Sequence, residues 1–291
     1  MRADRPSQTA MATAFLRALH RVADDAPLVF DDPVAIELLP WPQRRFLERL
    51  GALPERWRRT FRQRRSGLTR MRAQVLVRAR AAEDALAAAR DAGIGRYVVL
   101  SAGLDTYALR HDFTATGLPV IEVDHPATQR WKHDWIVRHR GGLPAGLTLC
   151  PVDFERQTLA DVLPPPSAPQ FFSWLGTTYY LSREALGATL RDLAAASPPG
   201  SRLVMDFWRQ APLFDPAGAA LLWGTRLATA LQQEPMKTFL EPDALADLAT
   251  AAGWRVAELL TARDQNARWL SGRRDGLAVP SFACLATLAI D

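Results

Sequence analysis

The sequence predicts an α/β protein with a Rossmann-like, mostly parallel sheet, an antiparallel hairpin at the C-terminal edge of that sheet and an N-terminal helical cap. Residues 10–90 carry leucine and alanine at helical spacing and show no strand pattern. After residue 95, short β-branched runs alternate with helical segments, which implies right-handed crossovers and parallel pairing. We therefore expect a cap over residues 1–90 and an α/β domain over residues 91–291.

Five strands are predicted before the C-terminal edge, and helices are predicted between them. Ser182 is a suitable N-cap for a helix over 183–196, and Pro242 suits the first turn of a helix over 243–252. The five strands are residues 97–100, 120–123, 147–149, 171–175 and 202–205.

Two features complete the domain. Residues 256–260 and 282–290 are strand-like with no full helix between them, which predicts the edge hairpin. Residues 207–240 form a connection too long and too aromatic for a simple loop, so we expect this insertion to cover a site. Its large apolar side chains are candidate pocket walls or core residues: Trp208, Phe214, Trp223, Met236 and Phe239.

The composition is that of a globular protein, with 48% apolar and 23% charged residues among 291. No uncharged apolar run reaches the roughly eighteen residues of a membrane span, so we expect a cytoplasmic protein with no membrane partner. Cys150 and Cys284 are expected to be buried, unpaired thiols. The histidines and cysteines show no metal-ligand spacing, and no metal site is predicted.

The net charge of +5 comes almost wholly from arginine, because Lys132 and Lys237 are the only lysines. The densest cluster, in residues 56–72, could meet an acidic carrier protein or an anionic substrate. Alternatively, it is a solvated helix face with one or two arginines turned inward for ion pairs. No nucleic-acid motif follows it, so a nucleic-acid partner is not expected.

The first strand runs into a loop of small residues, Ser101 to Asp105, where backbone N–H groups can face a ligand. Glu122 follows Gly103 by nineteen residues, the spacing at which a carboxylate meets a ribose. Leu104 and Asp105 interrupt the three-glycine pattern of dinucleotide sites, and an acid there would repel a pyrophosphate. A cationic nucleoside such as S-adenosylmethionine suits the loop better.

Four segments then carry a specific resemblance: VVLSAGLDTYALR (98–110), IEVDHP (121–126), PVDF (151–154) and WLGTTYYL (174–181). In this order and at these separations they resemble the leucine carboxyl methyltransferase family of S-adenosylmethionine-dependent enzymes, which includes O-methyltransferases of bacterial secondary metabolism. FDDPVA (30–35), RARAAED (78–84) and residues 235–254 fit the same pattern, so the likeness covers most of the chain.

The resemblance implies a set of cofactor contacts. Arg78, on the last cap helix, would bind the methionine carboxylate, for which a guanidinium is suited. Glu122 would hold the ribose hydroxyls, and Asp153 with Phe154 would meet the adenine. The full set implied at the cofactor is Arg78, Ser101, Ala102, Gly103, Asp105, Glu122, Val123, Asp153, Phe154 and Trp174.

Two positions depart from the family pattern. Ser101 stands where a glycine is usual, and Leu175 stands where many members carry a glutamate. The second departure leaves the contact with the cofactor's amino group to other residues. A catalytically impaired binding subunit is therefore an alternative to an active enzyme.

The acceptor is expected to be a small molecule, free or bound to an acyl carrier protein. The sequence offers no obvious base, which favours a carboxylate or an acidic hydroxyl, since a carboxylate is already ionised. Tyr180, after the fourth strand, is a candidate for the acceptor side and equally for the core.

Overall fold

The computed structural model describes residues 7–62, 66–111, 117–152, 157, 159–212 and 214–291. Its N-terminal part is helical, as predicted, with Ser7 and Ser66 as N-caps of the first and last cap helices. The cap helices are α1 (Gln8–Ala23), α2 (Trp41–Ala52), α3 (Glu55–Arg62) and α4 (Gly67–Arg90).

The α/β part contains a seven-stranded sheet in the order β3-β2-β1-β4-β5-β7-β6. The first five strands pair in parallel, and β7 is antiparallel to both β5 and β6. The prediction of a mostly parallel sheet with an antiparallel edge is confirmed. The strands are β1 (Arg96–Leu100), β2 (Val120–Asp124), β3 (Leu147–Pro151), β4 (Gln170–Trp174), β5 (Arg202–Trp208), β6 (Arg255–Leu260) and β7 (Ala283–Ala289).

Helices connect these strands and cover both faces of the sheet. The helix predicted over 183–196 is present, with Ser182 as its N-cap, and so is the helix that begins at Pro242. The helices are α5 (Tyr107–Arg110), α6 (Pro126–Arg140), α7 (Leu159–Val162), α8 (Arg183–Ala195), α9 (Pro216–Leu231), α10 (Pro242–Ala251) and α11 (Ala262–Trp269), with a 3₁₀ turn at Thr178–Tyr180.

The central strands of the sheet are buried on both faces because their alternate side chains enter two different clusters. Val99 and Phe171 pack with α1 and α6 residues, whereas Val98 and Phe172 pack with residues of α8 and α10. The cap therefore shares a core with the sheet: Ala14 and Leu19 of α1 lie in the same cluster as Val99.

One expectation about the edge was wrong. A helix, α11, lies between β6 and β7, so these strands are antiparallel neighbours without a tight turn. It begins with a capping box in which Thr261 and Asp264 satisfy each other's backbone N–H groups. The capping-box pattern can be read from the sequence. The apolar runs on either side of it nevertheless favoured the prediction of two strands with no helix between them.

Both cysteines were expected to be buried and unpaired. Cys284 is buried and Cys150 is half-buried, and both thiols are free. Among the residues described, no helix combines the length and apolar character that crossing a bilayer requires.

Candidate functional site

A cavity of about 580 Å³ opens at the carboxyl ends of β1, β2, β4 and β5, where parallel sheets bind their ligands. Residues of α1, α4 and the insertion after β5 form its other walls. Of the residues predicted at the cofactor or at the acceptor side, those that line it are Arg78, Ser101, Ala102, Gly103, Asp105 and Tyr180.

The loop after β1 turns sharply under this cavity. Ser101 and Gly103 have φ values of 52° and 53°, in the left-handed region. Glycine adopts such values freely, whereas serine pays about 1 kcal/mol or more, so the Ser101 departure stores strain at the site. Ala102 N donates to Val123 O at 3.0 Å and ties the loop to β2.

Two cations hold the same loop by its carbonyl groups. Lys132 Nζ donates to Asp105 O at 2.6 Å, and Arg17 Nη2 donates to Leu104 O at 2.6 Å. Arg17 is itself fixed by a buried ion pair with Asp32, at 2.7 Å, so the FDDPVA segment anchors the loop to the cap. The loop is thus fixed before any ligand binds.

Glu122, predicted at the cofactor, does not line the cavity. Its side chain is fully buried and forms an ion pair with Lys132 of α6. Burial raises the pKa of Glu122 to about 7, although the charge of Lys132 opposes the shift. Glu122 therefore lies beneath the loop that Lys132 holds.

Asp124, two residues later, has the place on the cavity wall. Its Oδ2 accepts from Gly103 N at 2.5 Å, and its Oδ1 accepts from His125 N at 2.6 Å. Burial raises the pKa of Asp124, and these backbone donors lower it in part. Alternation along β2 puts Glu122 and Asp124 on one face, but only Asp124 reaches the strand end that meets the ligand space.

Arg78 lines the opposite end, and its guanidinium is almost fully buried. Its Nη1 donates to Asp206 Oδ2 at 3.0 Å and to Tyr179 Oη at 3.3 Å. Burial alone would lower the pKa of Arg78, but the charge of Asp206, together with Tyr179 and the hydrogen bonds to both residues, raises the pKa overall. A Cβ at Gly176, whose φ is 81°, would lie 2.7 Å from Arg78 Nη2, so only glycine leaves room for the guanidinium.

A second carboxylate lies at the cap side of the cavity. Glu234 Oε1 accepts from Ser7 Oγ at 3.2 Å, and Glu234 Oε2 accepts from Thr9 Oγ1 at 3.1 Å. Burial raises the pKa of the Tyr180 hydroxyl, with Glu234 adding to the shift and Arg78 opposing it. Tyr180 thus lies within electrostatic range of both ends of the cavity.

Two of the remaining predicted residues do not reach the cavity wall. Val123 and Trp174 are buried in the sheet, while their neighbours Asp124, Ser173 and Leu175 line the space. Asp153 and Phe154 lie outside the described residues.

The insertion covers the site in part. Trp208 and Met236 line the cavity. Phe214 and Trp223 are instead 85% and 68% exposed, and Phe239 packs under Arg226. Of these five candidates for pocket wall or core, two therefore line the cavity, Phe239 packs against the core, and two do neither.

The described arginines of the 56–72 cluster are mostly paired within the chain. Arg72 is buried against Asp24 at 2.7 Å, and Arg70 lies 3.4 Å from Asp215. Arg58 pairs with Glu55 at 2.8 Å. Two of these arginines thus face inward, and docking of a partner on the rest of the cluster stays a prediction.

Sequence reasoning missed four charged residues at the site: Asp124, Lys132, Asp206 and Glu234. Lys132 had a signal, because it is one of only two lysines and lies on the helix that follows Glu122. Glu234 had none, since its partners are more than 220 residues away.

The residues at this cavity fit an adenosyl amino acid. Arg78 supplies a cation for a carboxylate, and Asp124 supplies acceptors for hydroxyl groups at the β2 end. Thr128 also lines the cavity, and its buried Oγ1 has no partner within the described chain. A buried polar atom without a partner is costly unless a ligand satisfies it.

Comparison with known proteins identifies the same family that the sequence motifs resemble. Residues 10–194 match the family model described as leucine carboxyl methyltransferase. The Bacillus subtilis (strain 168) protein named "Putative S-adenosyl-L-methionine-dependent methyltransferase YktD" is 31% identical, over 96% of each chain.

Solved structures show the same fold at low sequence identity. A duf574 family protein from Streptomyces avermitilis MA-4680 superposes with a TM-score of 0.58 at 16% identity, over 98% of each chain. A "putative methyltransferase" from Thermobifida fusca YX gives 0.57 at 13% identity, over 100% of this chain and 96% of that one.

Proposed function

The chain belongs to the leucine carboxyl methyltransferase family and is an S-adenosylmethionine-dependent methyltransferase, and from this premise we propose that it methylates an oxygen of a small molecule, a carboxylate or an acidic hydroxyl, in secondary metabolism. The observation that carries the proposal is a single cavity with a cationic end at Arg78 and an acidic end at Glu234. Its volume is in the range of small-molecule sites.

The cofactor would lie along the sheet side of this cavity. When bound, S-adenosylmethionine supplies a methyl group on a sulfonium, and the carbon–sulfur bonding pair stays on sulfur when the methyl group leaves. Arg78 would hold the methionine carboxylate, the 101–105 loop would face the methionine chain, and Asp124, rather than Glu122, would accept from the ribose hydroxyls. We propose, as the family resemblance implies, that Asp153 and Phe154 contact the adenine.

The acceptor would lie on the cap side, near Tyr180, Glu234 and Lys237. A hydroxyl acceptor must lose its proton as its oxygen bonds to the methyl carbon, and the Glu234 carboxylate can take that proton. An acceptor carboxylate would need no base and would be attracted by exposed Lys237, but repelled by Glu234. Because Glu234 can accept a proton and would repel a carboxylate, its position favours the hydroxyl acceptor, and hydrogen bonds from Ser7 and Thr9 hold it there.

An assay with matched phenols and carboxylic acids, following release of S-adenosylhomocysteine, tests this proposal. We expect turnover of phenols, and a fall in kcat of about 100-fold in Glu234→Gln with unchanged affinity for S-adenosylhomocysteine. Lys237→Met serves as the control, with little effect on phenols. If only carboxylic acids are turned over, and Lys237→Met rather than Glu234→Gln impairs the reaction, the hydroxyl acceptor is excluded.

A further inference from the structure

Gln74 lies one helical turn before Arg78 on α4 and shares its position on the cavity wall. Only 2% of Gln74 is exposed. Its Nε2 donates to Asp206 Oδ2 at 2.8 Å, and the same oxygen accepts from Arg78 Nη1 at 3.0 Å. One buried carboxylate of β5 therefore fixes both side chains.

The contact with Asp206 settles which way the Gln74 amide is turned. An ionised carboxylate only accepts hydrogen bonds, so the amide nitrogen must face Asp206 and the amide oxygen must face away from it. Gln74 Oε1 is buried and has no hydrogen-bond partner among the described residues. Such an acceptor lowers stability unless a donor reaches it, and at a cavity wall the donor can come from a ligand.

We propose that Gln74 Oε1 accepts a hydrogen bond from the ammonium group of the cofactor's methionine moiety. Carboxylate and ammonium are attached to the same carbon of an α-amino acid, so their protein partners must be neighbours. Arg78 and Gln74 meet this requirement: a donor and an acceptor four residues apart on one helix, both fixed to Asp206.

Other side chains at this end do not offer the same acceptor. Leu175, at the end of β4, lines the cavity with an apolar side chain. Asp206 already accepts from Gly176 N at 2.5 Å with Oδ1 and from two donors with Oδ2. Among the described residues that line this end, Gln74 is therefore the one whose side chain has a buried oxygen without a hydrogen-bond partner.

The inference rests on the S-adenosylmethionine dependence of the chain and is independent of the proposed acceptor. It concerns binding alone, so its test needs no methyl acceptor. A failure to methylate any phenol or acid would leave the prediction for Gln74 standing.

Calorimetric titration of two ligands into two proteins tests the inference. The ligands are S-adenosylhomocysteine and its deaminated analogue, which keeps the carboxylate and lacks the ammonium group. We expect Gln74→Met to bind S-adenosylhomocysteine about 10- to 100-fold more weakly than the wild type, and to bind the deaminated analogue equally well.

A second variant guards against loss of the fold. Gln74→Lys keeps a donor for Asp206 but brings a positive charge in place of the acceptor, so it should bind the deaminated analogue more tightly than S-adenosylhomocysteine. Equal losses for both ligands in folded Gln74→Met, or no loss for either, would overturn the proposal. So would an unchanged preference in Gln74→Lys.

Discussion

The two walls of the cavity are held together in different ways. On one wall, called the sheet wall here, Arg78 and Gln74 of the cap helix α4 form a buried cluster with Asp206 of β5. On the other, the cap wall, Glu234 of the insertion after β5 contacts Ser7 and Thr9 at the start of α1 through half-buried hydroxyl groups. The proposed cofactor end is thus part of the folded core, whereas the proposed acceptor end can change without disturbing that core.

The largest effect should come from breaking the charge pair of the sheet wall. Arg78→Met leaves Asp206 buried without its cation, so the free energy of unfolding should fall by about 3–5 kcal/mol. Affinity for S-adenosylhomocysteine should fall at least 100-fold, about 2.7 kcal/mol. Urea unfolding and calorimetric titration measure the two quantities.

Arg80→Met is the matched control for this change. Arg80 lies on the same helix and pairs with Asp84 at 2.6 Å, but both side chains are nearly half exposed. Its loss should cost less than about 1 kcal/mol and leave ligand affinity unchanged. Equal destabilisation by the two substitutions would contradict the contrast between buried and exposed charge at this wall.

The two carboxylates of β2 offer a sharper comparison within the sheet wall. Asp124→Asn keeps one of two acceptor oxygens at the cavity, so affinity for S-adenosylhomocysteine should fall about 10-fold. Glu122→Gln, which lies beneath the loop, should change that affinity less than about 3-fold. Calorimetric titration of both variants shows which carboxylate binds the ribose. A larger loss of affinity in Glu122→Gln than in Asp124→Asn would assign the ribose contact to Glu122.

Burial of Glu122 also predicts how stability depends on pH. Its pKa is raised from 4.5 to about 7 in the folded protein. Between these values the unfolded chain releases a proton that the folded protein keeps, so this residue makes the protein less stable as pH rises. The contribution is up to about 1.4 kcal/mol per pH unit.

Urea unfolding of the wild type and Glu122→Gln at pH 5, 6, 7 and 8 measures this contribution. The difference in unfolding free energy between the two proteins should move in favour of Glu122→Gln as pH rises to about 7, and level off above it. If this difference in unfolding free energy stays constant with pH, Glu122 is ionised over the whole range. That result would mean that the charge of Lys132 lowers the pKa of Glu122 more than burial raises it.

The smallest effect concerns the strained loop under the cavity. Ser101→Gly should raise the free energy of unfolding by about 0.5 kcal/mol, because relief of the left-handed conformation exceeds the added freedom of the unfolded chain. Ala102→Gly, at a residue without positive φ, should lower it by a similar amount. Thermal unfolding compares the two, and a loss of stability in Ser101→Gly would mean that the serine hydroxyl contributes more than the strain costs.

Periodicity and punctuation were sufficient to predict the helical cap, the parallel strands and the antiparallel edge. They also predicted the glycine loop, because a strand that ends in small residues is a local feature. Which of the two carboxylates, Glu122 or Asp124, lines the cavity could not be predicted from the residues next to them in sequence. It depended on Lys132 of α6, which binds the first carboxylate and leaves the second at the cavity. Glu234 was not predicted at the site for a similar reason, since its position depends on contacts with Ser7 and Thr9 at the other end of the chain.

The scarcity of lysine has a practical consequence. Lys132 is completely buried beneath the 101–105 loop, while Lys237 is exposed beside the cavity. At a pH high enough to deprotonate lysine, an amine-reactive dye therefore has one accessible lysine side chain to label, besides the α-amino group, which reacts more readily. A fluorophore attached there would report the arrival of an acceptor directly, without any need for an engineered cysteine.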